Sequence, residues 1–244
     1  MCGRYQRRSD KQRIAEAFAL GNMDGLALET DVGLAPNFNV APQTMQPVIV
    51  WDEAFGTRTL QMMFWRYLPP FAADLKSFKL GTTNAASGSL LTSGLWKESF
   101  LKRRCLIPAD TFIEWQTEGR QKLPWVFAMR DDQPFALGGI WRRWRSRDGS
   151  REMDTFAIIT AEPNELVAET TRHDRMPLIV KRSDWQRWLQ PGNYERPPVD
   201  LLRPFDSDAM KAWRSDTAIN NVRNTGPELG EPLKDDSEPQ IGMF

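Results

Sequence analysis

Histidine is the scarcest side chain here: the 244-residue chain has one, His173. Cysteine is nearly as scarce, with Cys2 and Cys105 alone. Three such ligands fall short of a structural zinc site, which takes about four, so no metal and no cofactor is expected. Two cysteines give no disulfide framework and suit a reducing compartment. Neither sign of charge dominates: 32 Lys and Arg balance 32 Asp and Glu. No overall cationic field therefore draws the protein onto nucleic acid, and any such binding must rest on a local basic patch. No apolar run reaches the roughly 18 residues of a membrane-spanning helix. The N-terminus turns polar at once (Arg4, Gln6, Arg7, Arg8), which argues against a secretory signal peptide. A cytoplasmic location follows as the expectation.

What is present is an ordinary globular composition, 41% hydrophobic and 26% charged. The length suffices for one large domain or two small ones with a sizeable core. Ten tryptophans are many, and they suit core positions or groove walls. Ser9 can cap a short helix with Ile14, Ala17 and Phe18 on one face. Residues 21–33 read as loop. Val48–Trp51 and Thr59–Trp65 read as strands, and Pro69-Pro70 ends that run. Leu80–Thr92 has loop composition. Leu95–Lys102 suits a short helix. Cys105–Ile107 reads as a strand stopped by Pro108. Thr111–Gln116 alternates, with Phe112 and Glu114 on one face and Ile113 and Trp115 on the other.

Further strands are expected at Trp125–Met129, Phe135–Trp141, Thr155–Thr160 and Leu178–Val180. Helices are expected at Glu162–Thr171, after a Ser183 cap through Trp185 to Leu189, and at Asp206–Trp213. Residues 192–198 read as loop, and the Pro- and acid-rich segment after Gly226 as weakly folded. No repeat or linker divides the chain. Many strands with a few helices between them predict one α+β domain with a β-rich core.

The chemistry begins at Met1-Cys2-Gly3-Arg4-Tyr5. Cys2 is small enough for Met1 to be removed by an aminopeptidase, and the mature chain is then expected to begin with Cys2. Its amine, of reference pKa about 8, and its thiol, roughly 8.5, would form a 1,2-aminothiol. Such a group condenses with an aldehyde and closes a thiazolidine ring. Alone, Cys2 is equally a small residue in a frayed terminus.

Glu114 sits between apolar neighbours, where burial raises a carboxyl pKa and suits general acid/base work. A solvent-facing Glu at a strand end is the other reading. His173 titrates near neutrality, and its flanking Arg172 and Arg175 suit a phosphate; a surface accident is the alternative. Asn84 is a turn residue or an amide that orients Cys2 or a sugar. Asn39, Asn220 and Asn221 read first as turn or capping residues. The basic runs at 7–8, 102–104 and 142–145 read as solvated faces. The last, interleaved with Trp141 and Trp144, only weakly suggests a groove for bases and phosphates.

Met1–Tyr5, Phe38-Asn39-Val40-Ala41-Pro42, Cys105–Trp115 and His173-Asp174-Arg175-Met176-Pro177, taken together and in order, resemble the signature of the SRAP (SOS response-associated peptidase) family of abasic-site processing proteins. Trp65 with Pro69, Asn84-Ala85, Leu137–Trp141, Asn220-Asn221 and Pro227-Glu228 extend the likeness to about residue 230.

The resemblance implies a single SRAP-like α+β domain over residues 1–230, a barrel-like antiparallel sheet core with flanking helices, and a weakly ordered tail at 231–244. It implies a covalent thiazolidine crosslink between mature Cys2 and the aldehyde of an abasic site in single-stranded DNA, in the service of DNA repair; nothing in the sequence suggests more than a monomer, and a nucleoid-associated location is the expectation. Autopeptidase and lyase-type chemistry come with it. In that scheme Cys2 is the nucleophile, Asn84 positions it, Glu114 is the acid/base and His173 handles ring opening. Arg4, Trp65, Trp115 and Arg175 fall at DNA-binding positions. The family pattern continues after Asn-Ala with an arginine, where this chain has Ala86, Ser87 and Gly88. Arg66 stands where the family often has glycine, and it is expected to supply the missing phosphate contact. A non-covalent single-stranded-DNA module, or a mainly autoprocessing peptidase, are the alternative functions.

Overall fold

The computed structural model describes residues 2–20, 34–190 and 196–233. The expected loop at 21–33, most of that at 192–198 and the tail from 234 lie outside the described residues.

Five strands close into a barrel: β3 (Met45–Asp52), β4 (Thr57–Trp65), β6 (Arg104–Ala109), β9 (Phe135–Arg145) and β10 (Glu152–Ala161). They run in the order β10-β4-β3-β6-β9, and β9 pairs back onto β10 to complete the ring. A second sheet has the order β13-β8-β7-β1-β2, from β1 (Tyr5–Arg7), β2 (Asn37–Val40), β7 (Thr111–Glu118), β8 (Gln121–Met129) and β13 (Met210–Arg214). Short strands β5 (Asn84–Ala86), β11 (Met176–Pro177) and β12 (Ile179–Val180) dock on the barrel strands. The fold is thus a single β-rich α+β domain, as the sequence predicts. Its pairing is not wholly antiparallel, because β10 runs parallel to both β4 and β5.

β10 is the organising strand. One edge takes β4 at Thr155 and Phe156 and then β5 at Ile158–Thr160. The other takes β9 from Glu152 to Ile158 and then β11 at Thr160 and Ala161. Its run of Phe, Ile and Thr is buried on both faces, which is what a strand with neighbours on both sides requires.

One apolar cluster joins the barrel to the second sheet. It includes Val48, Met63, Trp65, Ile107 and Phe156 from the barrel, and Tyr5, Phe112 and Phe127 from the sheet. Phe112 and Phe127, paired across β7 and β8, stack with centroids 4.8 Å apart. A second cluster packs the barrel under helices α1 (Lys11–Phe18), α2 (Lys97–Lys102) and α4 (Trp185–Leu189), through Ile14, Phe18, Phe100, Trp185 and Trp188. Gly139 permits the closest approach in the barrel. A Cβ there would lie 2.6 Å from Ile107 Cδ1 and 2.9 Å from the Ala157 carbonyl oxygen.

Several local expectations change. Asp10 caps α1 by accepting from the Arg13 amide at 2.9 Å, while Ser9 donates to Asp110. Pro108 lies inside β6, where β9 pairs with it and β3 has already departed after Leu106. The loop-like composition at 80–92 conceals β5, held by β10 rather than by its own propensity. Asp206–Trp213, expected as a helix, is one 3-10 turn (Ser207–Ala209) followed by β13. The pairing of Met210–Arg214 with β8 outweighs the helix propensity of Ala, Met and Lys. Residues 226–233 are not loosely held: Leu229 is buried and Ser215 bridges Pro232.

Candidate active site

Four segments far apart in sequence meet where β1 begins. Cys2 precedes β1 and is wholly buried beside the Tyr5 and Trp65 cluster. The Asn84 side-chain amide donates to the Cys2 carbonyl at 2.8 Å. Its Oδ1 is buried and accepts no hydrogen bond among the described residues. Asn84 is aimed by β10, whose Ile158 stands opposite it in register.

Glu114 comes from β7 and is also wholly buried. Because β7 pairs with β1 at Tyr5 and Phe112, the alternation of the strand places Glu114 on the face that covers Cys2. His173 Nδ1 lies 3.1 Å from Glu114 Oε2, and a quarter of the His173 side chain is accessible. Helix α3 (Glu165–Thr171) delivers it: Asn164 caps the start, and Arg172 at φ 57° turns the chain back at the end. The Thr171 hydroxyl then accepts from the His173 amide.

Burial pushes the Cys2 thiol pKa well above its ordinary range, and the nearby negative charge of Glu114 pushes it the same way. The thiol is therefore held neutral. Its Sγ faces the Arg4 carbonyl at 3.8 Å. A neutral thiol beside a buried carboxylate is arranged to give up its proton as a bond forms, not beforehand.

The residues expected to touch DNA are placed less uniformly. Trp115 is half-buried near the site, its indole N–H donating to Asn220 Oδ1 at 2.6 Å. Arg175 is half-buried and donates to the Thr160 hydroxyl at 2.8 Å and to the Thr160 carbonyl. Trp65 is wholly buried, packed on Tyr5 with centroids 5.4 Å apart, so it floors the site and offers no face to a base. The Arg66 guanidinium turns to the carbonyls of Leu75 and Phe78 and lies over the Phe78 ring. Arg4 is buried and donates to Asn39 Oδ1 at 2.6 Å.

The basic run at 142–145 forms no single basic patch, and Arg145 is exposed. Arg142 pairs with Glu98, Arg143 with Asp154, and Trp144 is buried against Leu68, Ala72 and Phe78. Asn39, which reads from the sequence first as a turn or capping residue, also donates through its amide to the carbonyls of Asn221 and Asn224. Only its place in the Phe38–Pro42 segment could have flagged it. Among the described residues no group of three or more His, Cys, Asp or Glu could hold a metal ion.

A family model described as SOS response associated peptidase (SRAP) matches residues 1–222. The chain belongs to the SRAP family. Two Bacillus subtilis SRAP relatives are named abasic site processing proteins. YoqW is 32% identical over 234 residues, covering 95% of this chain and 99% of its own. YobE is 31% identical over 234 residues, with the same coverage. A solved structure from Bacteroides thetaiotaomicron shares the fold at TM-score 0.80, with 22% identity over 95% of this SRAP chain and 100% of its own. No helix among the described residues is long and apolar enough to cross a membrane.

Proposed function

We propose that this SRAP protein captures abasic sites in single-stranded DNA through Cys2, once Met1 is removed, and closes a thiazolidine on the sugar aldehyde. The observation that carries this reading is the convergence of Asn84, Glu114 and His173 on Cys2 from three separate elements.

The order of events follows from the neutral thiol. The Cys2 amine adds first to C1 of the ring-opened sugar and forms a carbinolamine. His173, the accessible member of the pair, is suited to ring opening and to protonating the departing hydroxyl, and one water leaves. Sγ then adds to the iminium carbon, its proton passing to Glu114, and the five-membered ring closes. Asn84 fixes the Cys2 peptide, so that amine and thiol meet one carbon. A missing base leaves the sugar unstacked, so little distortion is needed to reach it.

DNA contact through Trp115, Arg175 and the exposed part of Arg66, with lyase-type turnover at His173, belongs to the same reading. So does a monomer acting in the cytoplasm. Self-removal of a peptide ahead of Cys2 is its peptidase component, tested by inserting a short leader and following its loss.

The decisive experiment is a denaturing gel of the protein with a uracil-excised oligonucleotide, followed by mass analysis of the N-terminal peptide. A DNA-shifted band with the adduct on Cys2 is expected. Binding on a native gel with no shifted band under denaturation would instead favour a non-covalent module.

A further inference from the structure

The geometry points to Arg4 and Asn39 as a positioning clamp that holds Cys2 in register with Glu114, in place of a phosphate contact at Arg4. This rests on the covalent capture proposed above, and it adds two residues to it.

Arg4 stands two residues from Cys2. Its backbone carbonyl accepts from the Ile113 amide at 3.0 Å, one residue before Glu114, and also faces Cys2 Sγ. The same residue thus touches both the thiol and the strand that carries the carboxylate. Its side chain is turned inward. Nη1 donates to Asn39 Oδ1 at 2.6 Å and to the Ile219 carbonyl at 3.2 Å, and Nε donates to the Gly3 carbonyl at 3.3 Å. The guanidinium carbon lies 5.9 Å from the Trp115 ring centroid. With the residue only 7% exposed, the Nε and Nη1 donors are spent on three internal oxygens and the guanidinium is held inward, away from a strand in solvent.

Asn39 completes the clamp from the other side. Its amide donates to the carbonyls of Asn221 and Asn224 at 3.0 and 2.9 Å. Trp115 reaches the same segment through Asn220. Arg4 and Asn39 therefore tie β1, β2 and residues 219–224 together around the Cys2 peptide. A charge-assisted bond of this kind, removed from water, loses its geometry if either partner goes.

The test compares Asn39→Ala, Asn39→Asp and Arg4→Met with the unchanged protein. Three quantities are read: the capture rate at saturating abasic oligonucleotide, the salt dependence of affinity for the same oligonucleotide with intact bases, and alkylation of Cys2 by iodoacetamide. Asn39→Ala and Arg4→Met are expected to slow capture on the order of 10–100-fold, as a small misplacement does. Both should change Cys2 alkylation while the salt slope stays fixed. Asn39→Asp keeps the acceptor for Arg4 but loses both amide donors to the Asn221 and Asn224 carbonyls, so its rate should fall between those of Asn39→Ala and the unchanged protein.

A fall of about one in the salt slope for Arg4→Met, with capture at saturation unchanged, would make Arg4 a phosphate contact and overturn the clamp. So would unaltered capture and alkylation in Asn39→Ala. Should Arg4→Met not fold, the two Asn39 variants decide. If the unchanged protein captures no DNA, the proposed function fails, while the alkylation readout still tests the clamp.

Discussion

Glu114 and His173 form one buried-to-surface unit: their nearest atoms are 3.1 Å apart, with the carboxylate wholly enclosed and the imidazole partly open to solvent. That asymmetry separates their tasks. Glu114 is sealed beside the thiol, and His173 is the member of the pair that solvent reaches.

Glu114→Gln keeps the shape of the buried side chain and removes its basicity. Capture of an abasic oligonucleotide should slow by about 10²–10⁴-fold, the range of a general acid/base. His173→Ala should slow it as well, and the double variant should fall well short of the sum of the two losses, because the pair acts together. Single-turnover rates on a denaturing gel check this. Additive losses would separate the two residues.

Cys2→Ser should retain the amine and lose the ring-closing sulfur. A Schiff base would still form, trapped by borohydride, but no adduct should survive without reduction. Cys2→Ala should behave the same way. A stable unreduced adduct on either variant would remove the thiol from the reaction.

Alkaline pH should destabilise the fold. Burial raises the pKa of both Cys2 and Cys105. The folded state keeps these protons while the unfolded chain loses them above a pH of roughly 8.5. The unfolded state then binds fewer protons, so stability is full below that pH and falls as pH rises above it. Each buried thiol removes about 1.4 kcal/mol per pH unit in that window. Denaturant melts from pH 7.5 to 10 should show the decline, and Cys105→Ala should make it shallower. A flat profile would mean that the thiols are open to water.

Gly139→Ala tests barrel closure. The new methyl would press on Ile107 and on the Ala157 carbonyl across two strand pairs, at a cost of about 1–3 kcal/mol for overpacking. Thermal melting should show a clearly lower midpoint. An unchanged midpoint would indicate slack between β6, β9 and β10.

Much of the site was legible because its residues violate local expectation. Glu114 is a carboxylate on an apolar strand face, and His173 is the sole imidazole. Asn84 lay in a stretch that reads as loop, and only its pairing with β10 makes it rigid. Asn39 reads as a turn residue because the two acceptors of its amide lie more than 180 residues away. Trp65 and Trp115 are alike in sequence, yet one is buried in the core and the other half-open. The strand at 210–214 was hidden by helix-forming residues whose edge pairing lies in another part of the chain.

The sequence by itself determined the β-rich α+β class, most strand positions and the candidate groups for the chemistry, since alternation and side-chain type are local properties. Tertiary structure alone decided which groups meet. The parallel docking of β5 on β10, the return of the chain at Arg172 and the inward turn of Arg4 each depend on partners remote in sequence. Their energies come from burial and hydrogen bonds that no local window contains.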